Sequence, residues 1–244
     1  MRHVRWMYLL LSLAALAGLL PAGCNTGIAE KDAERRIRER LPEIIGPARS
    51  YRVNIRASSD LSVIGGRLRE VHIEGRRVRI GGQWPVDYLR VTLERVRVDV
   101  SREVLEEVGA ARFQAGIAPP TLVQYVESGQ ENLRDVRVLL RSGRLVITGR
   151  YLLVRVWTPF EITGSLQLLG RTRIGFHTEG ARAAGIRVPD ALIRQVERRL
   201  NPVLDVSGAL LPIDLTEIAV RPDAVVVSGI PDLKDPSIFH FPSR

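Results

Sequence analysis

Leu68-Arg69-Glu70-Val71-His72-Ile73-Glu74-Gly75-Arg76-Arg77-Val78-Arg79-Ile80 alternates apolar and charged residues, and Leu89-Arg90-Val91-Thr92-Leu93-Glu94-Arg95-Val96-Arg97-Val98-Asp99-Val100 does so again. Period two marks strands with one buried and one wet face. Each ladder changes phase midway. Val71 and Ile73 give way to Val78 and Ile80, while Leu89, Val91 and Leu93 give way to Val96, Val98 and Val100. Such a change implies a bulge, or an inner face that changes partner. Two neighbouring strands that do this together predict a long, strongly curved antiparallel sheet. It would curl around something apolar: a helix, a ligand or both.

A helix stands upstream. Over Glu30–Ile45, Ala33, Ile37, Leu41, Ile44 and Ile45 share one face, and Gly46-Pro47 stops it. Strands are expected at Ser50–Ala57, Arg67–Gly81 and Asp87–Val100, with Gly65-Gly66 turning between the first two. Ser101 reads as the N-cap of a helix that carries Leu105 and Val108. A second short helix is expected at Pro120–Glu127. Downstream, Ser142-Gly143 joins strands 132–141 and 144–156, and Gly170-Arg171 joins 159–169 and 172–179. A helix at Pro189–Leu200 follows, with Leu192, Ile193, Val196 and Leu200 on one stripe, and a last hairpin turns at Pro222-Asp223. From Ile230 onward the prolines predict irregular chain. The class is α+β, with roughly nine strands and four helices. The sheet is expected to wrap the N-terminal amphipathic helix in a tubular half-barrel.

The start of the chain reads as a targeting segment. Arg2 and Arg5 precede an uncharged run from Trp6 to Ala22, and Ala22-Gly23-Cys24 closes it. Cys24 is the only cysteine among 244 residues. Its place at the boundary matches a bacterial lipobox, in which the cysteine is acylated; Pro21 departs from that pattern. The alternatives are an uncleaved anchor helix and plain secretion. The expected organisation is a signal peptide at 1–23, a tether at 24–29, one domain at 30–232 and an irregular tail at 233–244. From Cys24 to Glu30 the extended chain reaches roughly 25 Å at most, which would keep a lipidated form close to one membrane.

The formal net charge is +9, and Lys31 and Lys234 are the only lysines. An arginine-rich outer face suits anionic headgroups or acidic glycans. Nucleic acid is a poor partner for an exported chain that lacks basic stretches interleaved with aromatics. The sequence contains no nucleophile elbow, zinc-binding histidine pair, phosphate loop or dinucleotide fingerprint. Two His-x-Glu pairs, His72/Glu74 and His177/Glu179, lie on expected strands. Their neighbours Val71, Ile73, Ile174 and Phe176 take the buried face, so both pairs are expected to face solvent rather than a metal. Asp60 and Asp87 read as turn and strand-start residues. Trp84, Trp157, Phe239 and Phe241 stand at strand ends or in the tail, suited to a lipid interface or to capping a curved sheet. No cofactor is expected.

The order of elements resembles the LmeA-type phospholipid-binding family of exported bacterial envelope proteins. The stretches that carry the resemblance are Leu61-Ser62-Val63-Ile64-Gly65-Gly66-Arg67-Leu68, Val71-His72-Ile73-Glu74-Gly75, Leu211-Pro212-Ile213 and Val225-Val226-Val227-Ser228-Gly229. The resemblance covers about residues 30–232 and transfers no residue with a chemical role. It implies a curved sheet around a helix, phospholipid as partner, and a place in the cell envelope. Inward residues Val71, Ile73, Val91, Leu93, Ile147, Phe160, Ile162 and Phe176 are candidates for lining a lipid site, and each also reads as ordinary core. Arg76, Arg77, Arg79, Arg95 and Arg97 are candidates for contacting headgroups or the membrane surface. Three functions compete: a non-catalytic lipid carrier, chaperone or sensor; a packed interaction module that docks on a partner or acidic polymer; and an enzyme of envelope lipid or glycan.

Overall fold

The computed structural model describes residues 27–233, except 83, 100, 102–103, 129 and 208–212. The targeting segment, Cys24, Val100, Leu211-Pro212, Phe239 and Phe241 lie outside the described residues, as do the side chains of Val196 and Leu200. In chain order the elements are α1 (Ile28–Ile44), β1 (Ala48–Arg56), α2 (Asp60–Ile64), β2 (Arg67–Ile80), β3 (Trp84–Asp99), β4 (Val104–Ile117), α3 (Pro119–Glu127), β5 (Leu133–Arg141), β6 (Arg144–Leu153), β7 (Val156–Leu168), β8 (Arg173–Ala183), β9 (Ile186–Arg187), α4 (Asp190–Leu200), β10 (Leu204–Asp205), β11 (Ile213–Val220) and β12 (Val225–Pro231). They build two antiparallel sheets rather than one. The first runs β1-β2-β3-β4-β12-β11; the second runs β10-β8-β7-β6-β5, with β9 on β8. Neither closes into a barrel.

Both ladders form the strands their alternation demands. The phase changes fall at Arg77 (φ 48°) and Arg95 (φ 53°), two left-handed residues inside extended chain. The β2–β3 register continues from Arg67 opposite Arg97 to Ile80 opposite Trp84. No residue is therefore inserted in either strand, and the partners change phase together. Leu68 and Val96 form one buried pair and Val78 and Val86 another, with Val71, Ile73, Leu89 and Val91 between them.

Three local expectations are corrected. The stretch after Ser101 is strand β4, not a helix. The Asp99 carboxylate accepts from the Ser101 N–H (2.9 Å) and hydroxyl (2.6 Å) and closes a turn. The chain then pairs with β3 and β12, and tertiary pairing overrides the cap signal. Gly109 fits this central position: a Cβ there would lie 2.4 Å from Arg95 Nε. Gly65-Gly66 does not join the first strands directly; helix α2 intervenes, capped when the Ser59 hydroxyl accepts from the Ser62 N–H. Asp60 is its first residue. Ile230 and Pro231 extend β12 instead of opening the irregular tail.

The helices seal sheet edges, which otherwise present unpaired backbone groups. Glu34 and Glu30 of α1 accept from the N–H groups of Ile55 (2.9 Å) and Ala57 (3.0 Å) along β1. Glu127 of α3 accepts from Val136 on β5 (3.2 Å). Glu197 of α4 accepts from Thr178, and Asn201 bonds both backbone groups of Phe176 on β8. Asp87 accepts from Ala118 N–H (2.7 Å) and the Thr121 hydroxyl (3.1 Å), so this strand carboxylate caps α3.

The sheets meet along β11. Gly143 N–H donates to Val220 O (3.2 Å), Leu215 N–H donates to Arg171 O (2.6 Å), and Arg171 pairs with Asp214. The β5–β6 and β7–β8 turns therefore sit at the junction. Hairpins alternate ends, so the β6–β7 and β8–β9 turns lie at the far end of the second sheet. The ten residues of β6 place them roughly 30 Å away.

Candidate functional site

One face of the second sheet changes from core to surface along its length. Leu145, Ile147, Gly149, Tyr151 and Leu153 alternate on β6, opposite Gly164, Ile162, Phe160, Thr158 and Val156 on β7. At the junction end Leu145 is 4% exposed, and Ile174 and Phe176 of β8 are buried. Midway, Ile147 and Ile162 are half-buried against the core, with Val138. At the far end Leu153 is 56% exposed and Val156 64%. The middle of this face is neither fully covered nor fully bare.

The eight lining candidates fall into two blocks. Val71, Ile73, Val91 and Leu93 are cross-strand neighbours on the first sheet: Ile73 opposes Val91 and Val71 opposes Leu93. The first three are buried, and Leu93 is half-buried. Ile147, Phe160, Ile162 and Phe176 lie on the second sheet, where Ile147 opposes Ile162 and Phe176 opposes Leu166. Buried members of both sheets belong to one apolar cluster. The rings lie over glycines: a Cβ on Gly149 would meet the Phe160 ring at 3.0 Å, and one on Gly164 the Phe176 ring at 2.5 Å. Each absent side chain leaves room for a flat ring against the strand.

The five arginine candidates all lie on the first sheet and all are exposed. Arg97 pairs with Glu107 (3.7 Å), and Arg95 is drawn over Gly109. The far end of the second sheet carries a basic group that periodicity did not single out. Arg134 stacks on the Trp157 ring at 3.8 Å, Arg134 and Arg150 flank Asp135 (3.8 and 3.6 Å), and Arg155 stands in the β6–β7 turn. Arg155 is a turn residue, invisible to strand alternation, and Arg134 and Arg150 come together only through the pairing of β5 with β6, which neither strand reports alone.

The two His-x-Glu pairs lie on different sheets, and each histidine bonds another glutamate. His72 Nε2 is 3.0 Å from Glu70, and His177 Nδ1 is 3.1 Å from Glu197. Glu74 instead lies near Arg52 and Arg90, and Glu179 pairs with Arg144. Among the described residues no group of three or more potential metal ligands converges, and no helix is long and apolar enough to cross a membrane. The Asp205 carboxyl, at the edge of the second sheet, is held below the ordinary carboxylate range by hydrogen bonds from Ser207.

No curated protein and no solved structure matches the chain. A family model does, over residues 25–230. With two antiparallel sheets, helices along their edges and an apolar face that opens progressively, the chain belongs to the LmeA-like phospholipid-binding family.

Proposed function

We propose that this protein is an exported, non-catalytic lipid-binding protein of the cell envelope, tethered through acylated Cys24. It would take a phospholipid acyl chain on the second sheet, along Ile147, Phe160 and Ile162. The observation that supports this is the graded burial of one mostly apolar face, from Leu145 to Leu153. A face that serves only as core has no reason to continue past its covering elements, whereas a face that receives a chain must be reachable from one end. Each buried methylene contributes about 0.8 kcal/mol, so a partly covered acyl chain already gives useful affinity. The first sheet and α1 are the fixed frame in this reading, and the second sheet completes a trough instead of a closed tube. The buried Val71, Ile73, Val91 and Phe176 would serve as the floor and Leu93 as part of the wall.

Native mass spectrometry of the purified protein, followed by organic extraction, tests this. Near-stoichiometric phospholipid is expected, and Ile162→Asn is expected to lose most of it while keeping the wild-type circular dichroism spectrum. A lipid-free mass that stays lipid-free after incubation with mixed phospholipid vesicles would overturn the reading. It would leave the competing one, a packed module whose exposed first-sheet arginines dock on an acidic polymer.

A further inference from the structure

The far end of the second sheet has features that lipid binding alone does not require. The β6–β7 turn is Val154-Arg155, with both residues left-handed (φ 46° and 71°). Two-residue turns of this kind favour Asn-Gly, and a β-branched residue at positive φ is strained. Val154 is nevertheless there, 88% exposed, between exposed Leu153 and Val156. The neighbouring turn repeats the theme: Ala184 is left-handed, its N–H donates to Pro159 O (2.8 Å), and Ile186 beside it is 73% exposed. Both apolar tips therefore stand at the same end, opposite the junction with β11.

Charge and aromatic chemistry select the occupant. Arg155 has no ion-pair partner among the described residues. Arg150 and the Arg134–Trp157 stack flank the tip on the other face of the hairpin, since Arg134 opposes Arg150 and Leu152 opposes Trp157. Arg187 lies on β9 beside Ile186. Apolar residues at a tip, with arginines and a tryptophan set back from it, match the layering of acyl chains beneath anionic headgroups. A headgroup phosphate supplies Arg155 with the counter-charge it lacks among the described residues.

We propose that the β6–β7 and β8–β9 tips dock into the surface of an anionic phospholipid bilayer. Leu153, Val154, Val156 and Ile186 enter the acyl boundary, and Arg155, Arg150 and Arg187 contact phosphates. The same face of β6 and β7 then leads from the bilayer past Tyr151, Thr158 and Phe160 toward Ile147 and Ile162. This path extends the lipid-binding reading, but the docking does not depend on it.

The test places an environment-sensitive fluorophore on the full chain carrying Cys24→Ser, at Ile186→Cys or, as a control on the first sheet, at Asp223→Cys. Vesicles are equal parts phosphatidylcholine and phosphatidylglycerol, with a spin-labelled lipid as quencher. Quenching and a blue shift at position 186 but not at 223 are expected. Val154→Asn with Arg155→Gly should weaken the quenching about tenfold, because one apolar anchor and one phosphate contact are lost. Its melting temperature should be unchanged or higher, because Asn-Gly suits the turn. Equal quenching at both positions, none at 186, a tip variant that still docks, or self-association through the tip in place of vesicle binding would each overturn the proposal. Extracted lipid is read separately: a chain that carries lipid but leaves position 186 unquenched refutes the docking and not the lipid binding.

Discussion

In the first sheet the inward row through Val53, Ile73, Val91 and Phe113 is buried on four adjacent strands, and α1 seals the outer edge at β1. In the second sheet the corresponding row is buried only beside the junction and is bare at the hairpin tips. Both sheets follow the same two-residue period and both have edges capped by helix carboxylates. They differ in what lies over the face. The first sheet is joined to its cover at both ends, by α1 on β1 and by the second sheet on β11. The second is joined at one end only, so its apolar face continues past the last side chain available to bury it. The same pattern therefore yields a frame in one place and an accessible surface in the other, and topology decides which.

The strongest way to break that contrast is at the seal of the first sheet. Gly46 joins α1 to β1 with φ 132°, and a Cβ there would lie 2.0 Å from Arg79 O. Gly46→Ala is expected to cost about 3 kcal/mol or more, since neither the backbone angle nor the carbonyl can yield. Gly143→Ala, in a second-sheet turn with open space around it, should cost about 1 kcal/mol from its positive φ alone. Urea denaturation of both variants measures the difference; equal costs would show that the α1 seal is not a fixed part of the frame.

A finer probe compares the faces themselves. Val78 is fully buried, and Val78→Ala should cost about 2 kcal/mol through its cavity while leaving bound lipid unchanged. Ile147 is half-buried, and Ile147→Ala should cost about 1 kcal/mol or less in the lipid-free protein but reduce co-purified lipid. If Ile147→Ala is the more destabilising of the two, the second sheet is core and the contrast fails.

Much of the frame was legible because each strand reported its own burial. The ladders at 68–80 and 89–99, the helix stopped by Gly46-Pro47 and the turns at Ser142-Gly143 and Gly170-Arg171 all depend on local chemistry, and they form where that chemistry places them. The phase changes were legible too, though their cause was not: Arg77 and Arg95 are ordinary residues to a periodicity argument, and only the backbone shows them left-handed. Strand β4 was misread because Ser101 looks like a cap, whereas the chain after it folds back on β3, with Leu105 opposite Val98 and Val108 opposite Val96. The break into two sheets, and with it the division of the eight lining residues, depends on β11 meeting distant turns, which no local pattern encodes. Val154-Arg155 was invisible as a turn because neither residue favours one, so strand period appeared to continue to Val156.

A pH-dependent effect sharpens the comparison from the frame's side. The Tyr51 hydroxyl donates to Gly46 O (2.8 Å) and ties β1 to the end of α1, and burial raises its pKa to about 12. In the unfolded chain the phenol ionises near 10. The raised value means that folding stabilises the protonated form, so this contribution is complete below about pH 10 and falls away as pH rises toward about 12. Tyr51→Phe is expected to cost about 1 kcal/mol at neutral pH, because the carbonyl loses its donor. The same substitution should remove part of the alkaline loss of stability, so wild type and variant converge as pH rises. Thermal melts across that range measure it. Parallel curves would mean that Tyr51 is not held protonated by the frame, and that the α1–β1 seal is as open to solvent as the far end of the second sheet.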